Sequence, residues 1–383
     1  MRKKIYLIAG EASGDKLGST VVEAIKQLYP DAVIKGIAGT EMLKAGMSKS
    51  LFPIQDLSVM GISEVLRTLP RILWRMRQTI KDIKSFEPDV LLTIDAPDFS
   101  FRIHKAIRKS ARFKVSQQHL VAPSVWAWRP DRARKCAQFL DKIYCLLPFE
   151  PPYFEQHGLK AVFCGHPLAT NLHPVKRDNA VLARLGIRGG PIVALLFGSR
   201  NGEFERMGAQ IVEAAQLLTL SYPNISFVIP TLPAVEDKAR SLAMQIPAPS
   251  HILTAYEDKH QAMASCDAAI AVSGTIGLEL SMLQIPHLIT YRFSGISAWF
   301  AKRFVKTKYV HLGNIVLQKP VVPELLQHEC RAEMLATVLT DILSDEATQQ
   351  AQRDAFVEVR EKLLPADPDG AGHLIARAMF EKP

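Results

Sequence analysis

Short, unbroken apolar runs recur along this chain, each followed by a small-residue loop and then a helical pattern. A strand that is apolar at every position has both faces buried, which requires helices on both sides of its sheet. The sequence therefore predicts parallel α/β architecture. The first series of runs is Ile5–Ala9, Val33–Ala38, Asp89–Ile94, Lys114–Gln118, Ile143–Leu147 and Ala161–Phe163. The stretch Leu172–Gly190 breaks the rhythm with His173-Pro174, a charged piece and Gly189-Gly190-Pro191. The pattern then restarts at Ile192–Phe197 and continues through Ser226–Ile229, His251–Leu253, Ala268–Val272 and His287–Tyr291. We expect two Rossmann-like, doubly wound domains over 1–170 and 190–345, with C-terminal helices over 346–383. The tail is helical from about Arg331, and its last helix is free to leave the second domain. Two such domains facing each other would bind ligands in a cleft at the carboxyl ends of their strands.

The 383 residues, 48% of them hydrophobic, supply enough apolar material for two cores. No apolar run approaches the roughly 20 residues of a membrane-spanning helix, so any membrane contact is expected to be peripheral. The N-terminal MRKKIYLIAGEASGD begins like a signal peptide, but its apolar run is short and Glu11 and Asp15 follow at once. The five cysteines are odd in number and widely spaced, which fits a reducing compartment. A formal charge of +9 favours anionic partners: phosphate-bearing substrates, nucleic acid or an anionic bilayer. No nucleic-acid motif accompanies the charge, so nucleic acid is not expected. The 11 histidines form no HExxH and no cluster with cysteine, so no metal is expected, and no GxSxG is present.

Several loops carry chemistry at predicted strand ends. Gly10–Asp15, GEASGD, offers a tight turn and a helix start for a phosphate or a sugar hydroxyl, and Glu11, which would repel phosphate, suits the hydroxyl better. It is equally a plain strand–helix turn capped by Ser13. In Ile94–Phe99, IDAPDF, Asp95 stands where a carboxylate can accept the proton of an attacking alcohol, with Asp98 able to orient it or raise its pKa. Alternatively, Asp98 caps the next helix and Asp95 closes a turn. Ala122–Lys135 places Trp126 and Trp128 ahead of Arg129, Arg132, Arg134 and Lys135, a platform for a sugar or acyl chain with arginines on phosphate. A buried tryptophan with a solvated basic helix reads the same residues differently.

Further along, Phe197–Glu205 sets Gly198 and Ser199 in a turn and sends Arg200 out, either to a diphosphate or to a surface ion pair with Glu203. Ser273-Gly274-Thr275 opens a helix whose start can cradle a diphosphate, and Glu279 shares a face with Thr275. Finally, Leu66–Lys84 is an amphipathic, strongly basic segment, suited either to an anionic bilayer surface or to a core-facing helix with a wet side.

Read in order, these strings resemble lipid-A-disaccharide synthases: AGEASGD at 9–15, VMGISEVL at 59–66, IDAPDF at 94–99 and PSVWAWR at 123–129. LPFE at 147–150, GHPL at 165–168, GSR at 198–200, SGT at 273–275 with Glu279 downstream, and VVPELLQ at 321–327 complete the series. The resemblance covers about 9–330. It implies the two-domain glycosyltransferase fold called GT-B. It implies an inverting transfer from UDP-2,3-diacylglucosamine to 2,3-diacylglucosamine 1-phosphate in lipopolysaccharide biosynthesis, releasing UDP and forming a β-1′,6 disaccharide. It also implies no metal or organic cofactor, a cytoplasmic protein peripherally bound at the inner face of a Gram-negative inner membrane, and a homodimer that exchanges C-terminal segments.

Carried onto this sequence, the resemblance makes Asp95 the general base with Asp98 beside it. It sets Arg200, Glu203, Ser273, Gly274, Thr275, Glu279 and Asn314 on the UDP donor. It sets Glu11, Ser13, Trp126, Trp128 and Arg129 on the acceptor. The chain departs from the family pattern at Phe197, where Pro is usual before GSR, at His311-Leu312-Gly313 before Asn314, at Gln318-Lys319, where Gly-Arg is usual, and at His119-Leu120-Val121. Two rivals stay open: another UDP-sugar enzyme of this fold, such as an epimerase or a peptidoglycan-precursor transferase, and a non-catalytic lipid or nucleotide binder.

Overall fold

The computed structural model describes residues 2–57, 62–110, 112–128, 131–174, 177–272, 274–293 and 307–381. Arg129, Ser273 and the side chain of Trp128 lie outside the described part, as do the side chains of the first turns of the basic segment, 62–68. The chain forms two compact units, Met1–Pro167 with Leu363–Pro383, and Leu168–Lys362.

The first unit holds six parallel strands: β1 (Lys4–Ala9), β2 (Val33–Ile37), β3 (Val90–Ile94), β4 (Ser116–Leu120), β5 (Lys142–Cys145) and β6 (Lys160–Phe163), in the order β2-β1-β3-β4-β5-β6. Strands β1 and β3 are buried almost throughout, as unbroken apolar runs require. Each buried Ile or Leu there contributes roughly 1.5–3 kcal/mol. β4 sits two residues later than its sequence suggests. Its register pairs Ser116 with Val90, so Gln117, Gln118 and His119 enter the sheet, fully buried. They are tolerated because each finds a polar partner: His104 for Gln117, the Tyr144 hydroxyl for Gln118 and the Thr93 hydroxyl for His119.

The helix after β1 begins at Ala12, not near Lys16, so GEASGD is mostly its first turn. Its glycines serve packing. A Cβ on Gly14 would lie 3.0 Å from the Ile94 carbonyl, and one on Gly18 would lie 2.6 Å from Met42 Sδ. The last helix, Ala371–Ala378, packs on the Ala12–Leu28 helix of the same unit. Gly372 permits that crossing, since a Cβ there would meet the Thr20 carbonyl at 2.3 Å. Buried Lys142 donates to the Ala378 carbonyl, and Gln118 donates to the Met379 carbonyl at 2.8 Å. A cation at a helix C-terminus is favoured by the helix dipole.

The second unit has strands β7 (Ile192–Leu196), β8 (Ser226–Pro230), β9 (Ser250–Leu253), β10 (Ala268–Val272), β11 (His287–Tyr291) and β12 (Glu324–Leu326), all parallel, in the order β12-β11-β10-β7-β8-β9. β12 has no sequence signature: it is three residues long and begins with Glu324. That carboxylate accepts from the Val310 and His311 backbone N–H groups. The fold is the GT-B class expected, two parallel sheets with a helical C-terminal region.

Candidate active site

Open parallel sheets bind ligands where the strand order reverses. In the first unit, chain order departs from β1 to β2 on one side and to β3 on the other, so the loops after β1 and β3 flank the switch point. Those loops carry Glu11, Ser13 and Asp95. Asp95 and Ala96 both have left-handed backbone, with φ of 58° and 44°. Such conformations cost non-glycine residues roughly 1–2 kcal/mol each, and they cluster at functional sites. The corner is tied down. Asp95 N–H donates to the Leu120 carbonyl at 3.0 Å, Ser100 Oγ donates to the Asp95 carbonyl at 2.8 Å, and Ala96 N–H donates to Asp95 Oδ1 at 2.8 Å. Ser13 Oγ donates to Asp95 Oδ2 at 3.1 Å, so Ser13 serves Asp95 and does not cap its helix. The half-buried Asp95 carboxylate is thereby aimed from two sides.

Glu11 is the like-charged neighbour of this group. Burial and the nearby Asp95 push the Glu11 carboxyl above the usual glutamate range. Asp98 lies in the first turn of the Pro97–Ser110 helix, exposed, and lines a separate pocket between that helix and the Asp131–Ala137 helix. Asp15, adjacent in sequence, is structural: its buried carboxylate accepts from Gly39, Glu41 and Met42 N–H groups and anchors the Thr40–Lys44 helix.

In the second unit the order reverses between β7 and β10. The loops after these strands line one pocket of about 310 Å3 that gathers Gly198, Ser199, Arg200, Gly274, Thr275 and Glu279. Gly198 has φ of +109°, and a Cβ there would lie 2.3 Å from Glu203 Oε2, so only glycine closes this turn. Glu203 is buried and accepts from Ser199 N–H at 2.7 Å and Arg200 N–H at 3.2 Å. It also lines the pocket, but its carboxylate is engaged in shaping the loop. The Arg200 side chain is 82% exposed and stands 3.6 Å from Glu203, a solvent-screened ion pair that leaves most of its fork available. Thr275 is the first residue of the Thr275–Met282 helix, after Gly274. Glu279 pairs with His260 at 2.6 Å, which fixes its position on the pocket wall.

Asn314 is not brought into this pocket. Its buried amide donates to the Val322 carbonyl and Glu324 Oε1, each at 2.8 Å, and accepts from Val321 and Val322 N–H groups. Every hydrogen-bonding site on the amide is used, so it staples the loop that leads into β12. Just before it, the His311 ring fits against Gly277 and Gly313 and meets His287 Nε2 at 3.1 Å. Burial pushes His287 down to about 3 and His311 to about 4, so both rings are neutral near pH 7. At a second departure, Phe197 stacks on Phe204 within the core, 5.7 Å between ring centroids. At a third, Gln318 carries φ of +54°, a conformation that glycine adopts without strain.

Trp126 is half-buried; its indole donates to Glu150 Oε1 at 3.0 Å and meets Phe149 edge-on. Glu150, nearly fully buried, also accepts from Leu147 N–H, and burial pushes its carboxyl up to about 7. Glu150 and Phe149 of the LPFE string thus secure the tryptophan loop, one by a hydrogen bond and the other by ring contact. Sequence reasoning also passed over Thr231, one residue beyond β8. The residue lines the second unit's pocket and is buried, and its hydroxyl has no hydrogen-bond partner among the described residues. No glycine turn marks it, and only its place after a strand could have pointed to it. Among the described residues, no three His, Cys, Asp or Glu side chains converge in a metal-holding arrangement.

Comparison with known proteins separates fold from family. Solved structures with the same architecture include the Staphylococcus aureus MnaA–UDP structure, with a TM-score of 0.64, 13% identity, and 100% of this chain and 99% of that one covered. The Neisseria meningitidis UDP-GlcNAc 2-epimerase bound to UDP-GlcNAc gives a TM-score of 0.60 at 14% identity, covering 94% of this chain and 99% of that one. Such identities speak for the fold alone. Sequence relatives are far nearer. The lipid-A-disaccharide synthase of Rhodospirillum centenum is 39% identical over 365 residues, 95% of this chain and 90% of its own. That of Pseudomonas entomophila is 39% identical over 361 residues, 94% of each chain. A model of the lipid-A-disaccharide synthetase family matches residues 5–368, nearly the whole of both units. With its motifs at both switch points and relatives aligned end to end, this chain belongs to the lipid-A-disaccharide synthase family.

Proposed function

We propose that this protein transfers 2,3-diacylglucosamine from its UDP carrier to the 6-hydroxyl of 2,3-diacylglucosamine 1-phosphate, a step of lipid A biosynthesis. Membership of the family supports the reaction class, and one feature carries the mechanism: the doubly tethered Asp95 carboxylate on its left-handed corner. In this reading Asp95 accepts the proton of the acceptor 6-hydroxyl. The oxygen attacks the donor's anomeric carbon as the bond to UDP breaks, and UDP leaves with the electron pair. One displacement inverts the anomeric centre and gives the β-1′,6 linkage. Ser13 holds Asp95, and Glu11 beside it, with its raised carboxyl pKa, suits a sugar hydroxyl.

The donor side rests on the second unit. Arg200 and the helix start at Gly274–Thr275 stabilise the departing diphosphate. Glu279 and the unpartnered Thr231 hydroxyl are the polar groups left for ribose and base. The UDP and UDP-GlcNAc named for the MnaA and epimerase structures support a UDP-sugar in this architecture. An epimerase has only fold-level likeness in its favour. A silent binder gives no reason for the strained Asp95 corner.

We place the acceptor on the first unit and the protein on the inner face of the inner membrane. No helix of the described residues is long and apolar enough to cross a bilayer. Leu69, Leu73 and Trp74 are exposed on the Ile62–Phe86 helix, with Arg71, Arg77, Lys81 and Lys84 on the same segment. Exposed apolar groups among cations suit an anionic lipid surface. We also propose a homodimer, with the Leu363–Pro383 segment able to make its contacts with Lys142 and Gln118 in a second copy. The test is direct: purified protein, both acylated substrates, and a chelator. Stoichiometric UDP and a 1′,6-linked disaccharide are expected; UDP release without disaccharide, or neither, refutes the assignment.

A further inference from the structure

The pocket beside the Asp95 corner, about 380 Å3, is open between the first turns of the Pro97–Ser110 helix and the Asp131–Ala137 helix. Four cations converge on it, Arg102 and Lys105 from one helix and Arg132 and Lys135 from the other. Its floor is apolar and aromatic. The Lys105 ammonium stands 5.2 Å from the Phe139 ring and the Arg132 guanidinium 5.5 Å from the Phe101 ring, and both rings are buried. Such stacking holds the charged ends over the floor.

What marks this pocket is that its cations outnumber its carboxylates and converge over one aromatic floor. Elsewhere in this unit Arg75 is paired with Asp56, and Arg108 with Asp141. Among the described residues none of the four pocket cations has an ion pair. The two carboxylates that also line the pocket, Asp98 and Asp131, are not within ion-pair distance of them. Four positive and two negative side chains leave two positive charges in excess, which offsets the roughly two negative charges of a phosphomonoester near neutral pH.

Pro97 and Asp98 belong to this pocket and follow Asp95 by two and three residues, so it begins where the reacting corner ends. In a glucosamine 1-phosphate the phosphate on C1 and the hydroxymethyl arm on C5 flank the ring oxygen, so the 6-hydroxyl and the phosphate are separate groups on neighbouring sides of the sugar. A base that holds the hydroxyl therefore needs its anion grip to one side of itself. We propose that this pocket binds the anomeric phosphate of the acceptor sugar, with Arg102, Lys105, Arg132 and Lys135 on its oxygens. Asp98 at the rim accepts from a sugar hydroxyl or amide. This rests on the transferase reading and assigns the acceptor's end of it.

The test compares acceptors with and without the phosphate, using the full chain and a Lys105→Gln/Arg132→Gln variant. The ratio of kcat/KM for phosphorylated over phosphate-free acceptor falls by about 100-fold in the variant, with about tenfold for either single change. An unchanged ratio overturns the proposal, whether both activities are kept or both fall together. Soluble glucosamine 1-phosphate, followed by calorimetry or NMR on the same proteins, supplies a readout without catalysis. Its binding weakens at least tenfold in the variant, and equal binding to both proteins overturns the proposal. Binding lost in the variant, in a protein that makes no disaccharide, would sink the transferase reading and leave the phosphate site standing. Phosphatidylglycerol vesicles distinguish the other source of phosphate: if the variant loses only vesicle binding, the pocket serves lipid headgroups and the proposal is wrong. Lys105 is exposed and Arg132 half-buried, so thermal unfolding of each variant is measured beside the parent, and a Lys105→Gln protein that melts like the parent carries the comparison.

Discussion

The two sheets have the same number of strands and the same parallel sense, yet they reverse direction at different places. The first reverses between β1 and β3, the second between β7 and β10. The shift decides which loops can reach a ligand. It sets the loops carrying GEASGD and IDAPDF beside the switch point of one unit, and those carrying GSR and Gly274-Thr275 beside that of the other. The chemistry differs as well. The first unit fixes a carboxylate on a strained corner, with Glu11 crowding it and Ser13 holding it. The second unit engages Glu203 with backbone N–H groups, braces Glu279 on the pocket wall against His260, and leaves an exposed arginine and a helix start. One fold can thus present a tethered carboxylate or an exposed arginine, depending on where strain is placed and which charges are already satisfied.

The largest effect expected falls on the first unit. Asp95→Asn keeps a residue that tolerates left-handed backbone but removes the proton acceptor, so kcat falls by roughly 10²-fold or more with the fold intact. Turnover within a few-fold of the parent removes Asp95 from that role. In the second unit, Asn314→Ala leaves the Val321–Val322 amides and Glu324 without their partner. A loss of about 2–3 kcal/mol in unfolding free energy is expected, with UDP affinity in the folded protein kept. A large fall in UDP affinity at unchanged stability would make Asn314 a ligand contact after all.

Acid should weaken both units. Burial lowers His104 to about 4 and His287 to about 3, and it lowers His119 and His311 also. A histidine with a depressed folded pKa binds protons more readily when unfolded. Its contribution is whole above the unfolded value, near 6.5, and is lost progressively as pH falls toward about 4. A melting temperature that drops between pH 7 and pH 5 agrees; a flat profile contradicts the buried neutral rings. The smallest effect concerns strain itself. Ala96→Gly should raise stability by about 0.5–1 kcal/mol and slow turnover a few-fold, because the corner that aims Asp95 loosens. Lower stability in that variant would show that the backbone there is not strained.

Both sheets were legible because continuous apolar strands can be buried only one way, and the motifs at β1, β3, β7 and β10 were visible as loops of small and charged residues after such runs. β4 misled because its buried Gln117, Gln118 and His119 look exposed until partners on other elements are known. β12 was invisible, being short and led by Glu324. Asn314 read as a ligand contact because a sequence cannot say whether an amide is already saturated. Thr231 and the pocket between the Pro97–Ser110 and Asp131–Ala137 helices were hidden for the opposite reason: unsatisfied groups appear only when the surroundings are built.

The division of labour between the units is tested most directly by titrating UDP into the parent protein, Asp95→Asn and Arg200→Ala, alongside turnover. Turnover should fall in both variants, while UDP affinity stays within about twofold for Asp95→Asn and drops about tenfold or more for Arg200→Ala. Equal loss of UDP affinity in the two variants, or full affinity in Arg200→Ala, contradicts a carboxylate that serves the acceptor and an arginine that grips the donor.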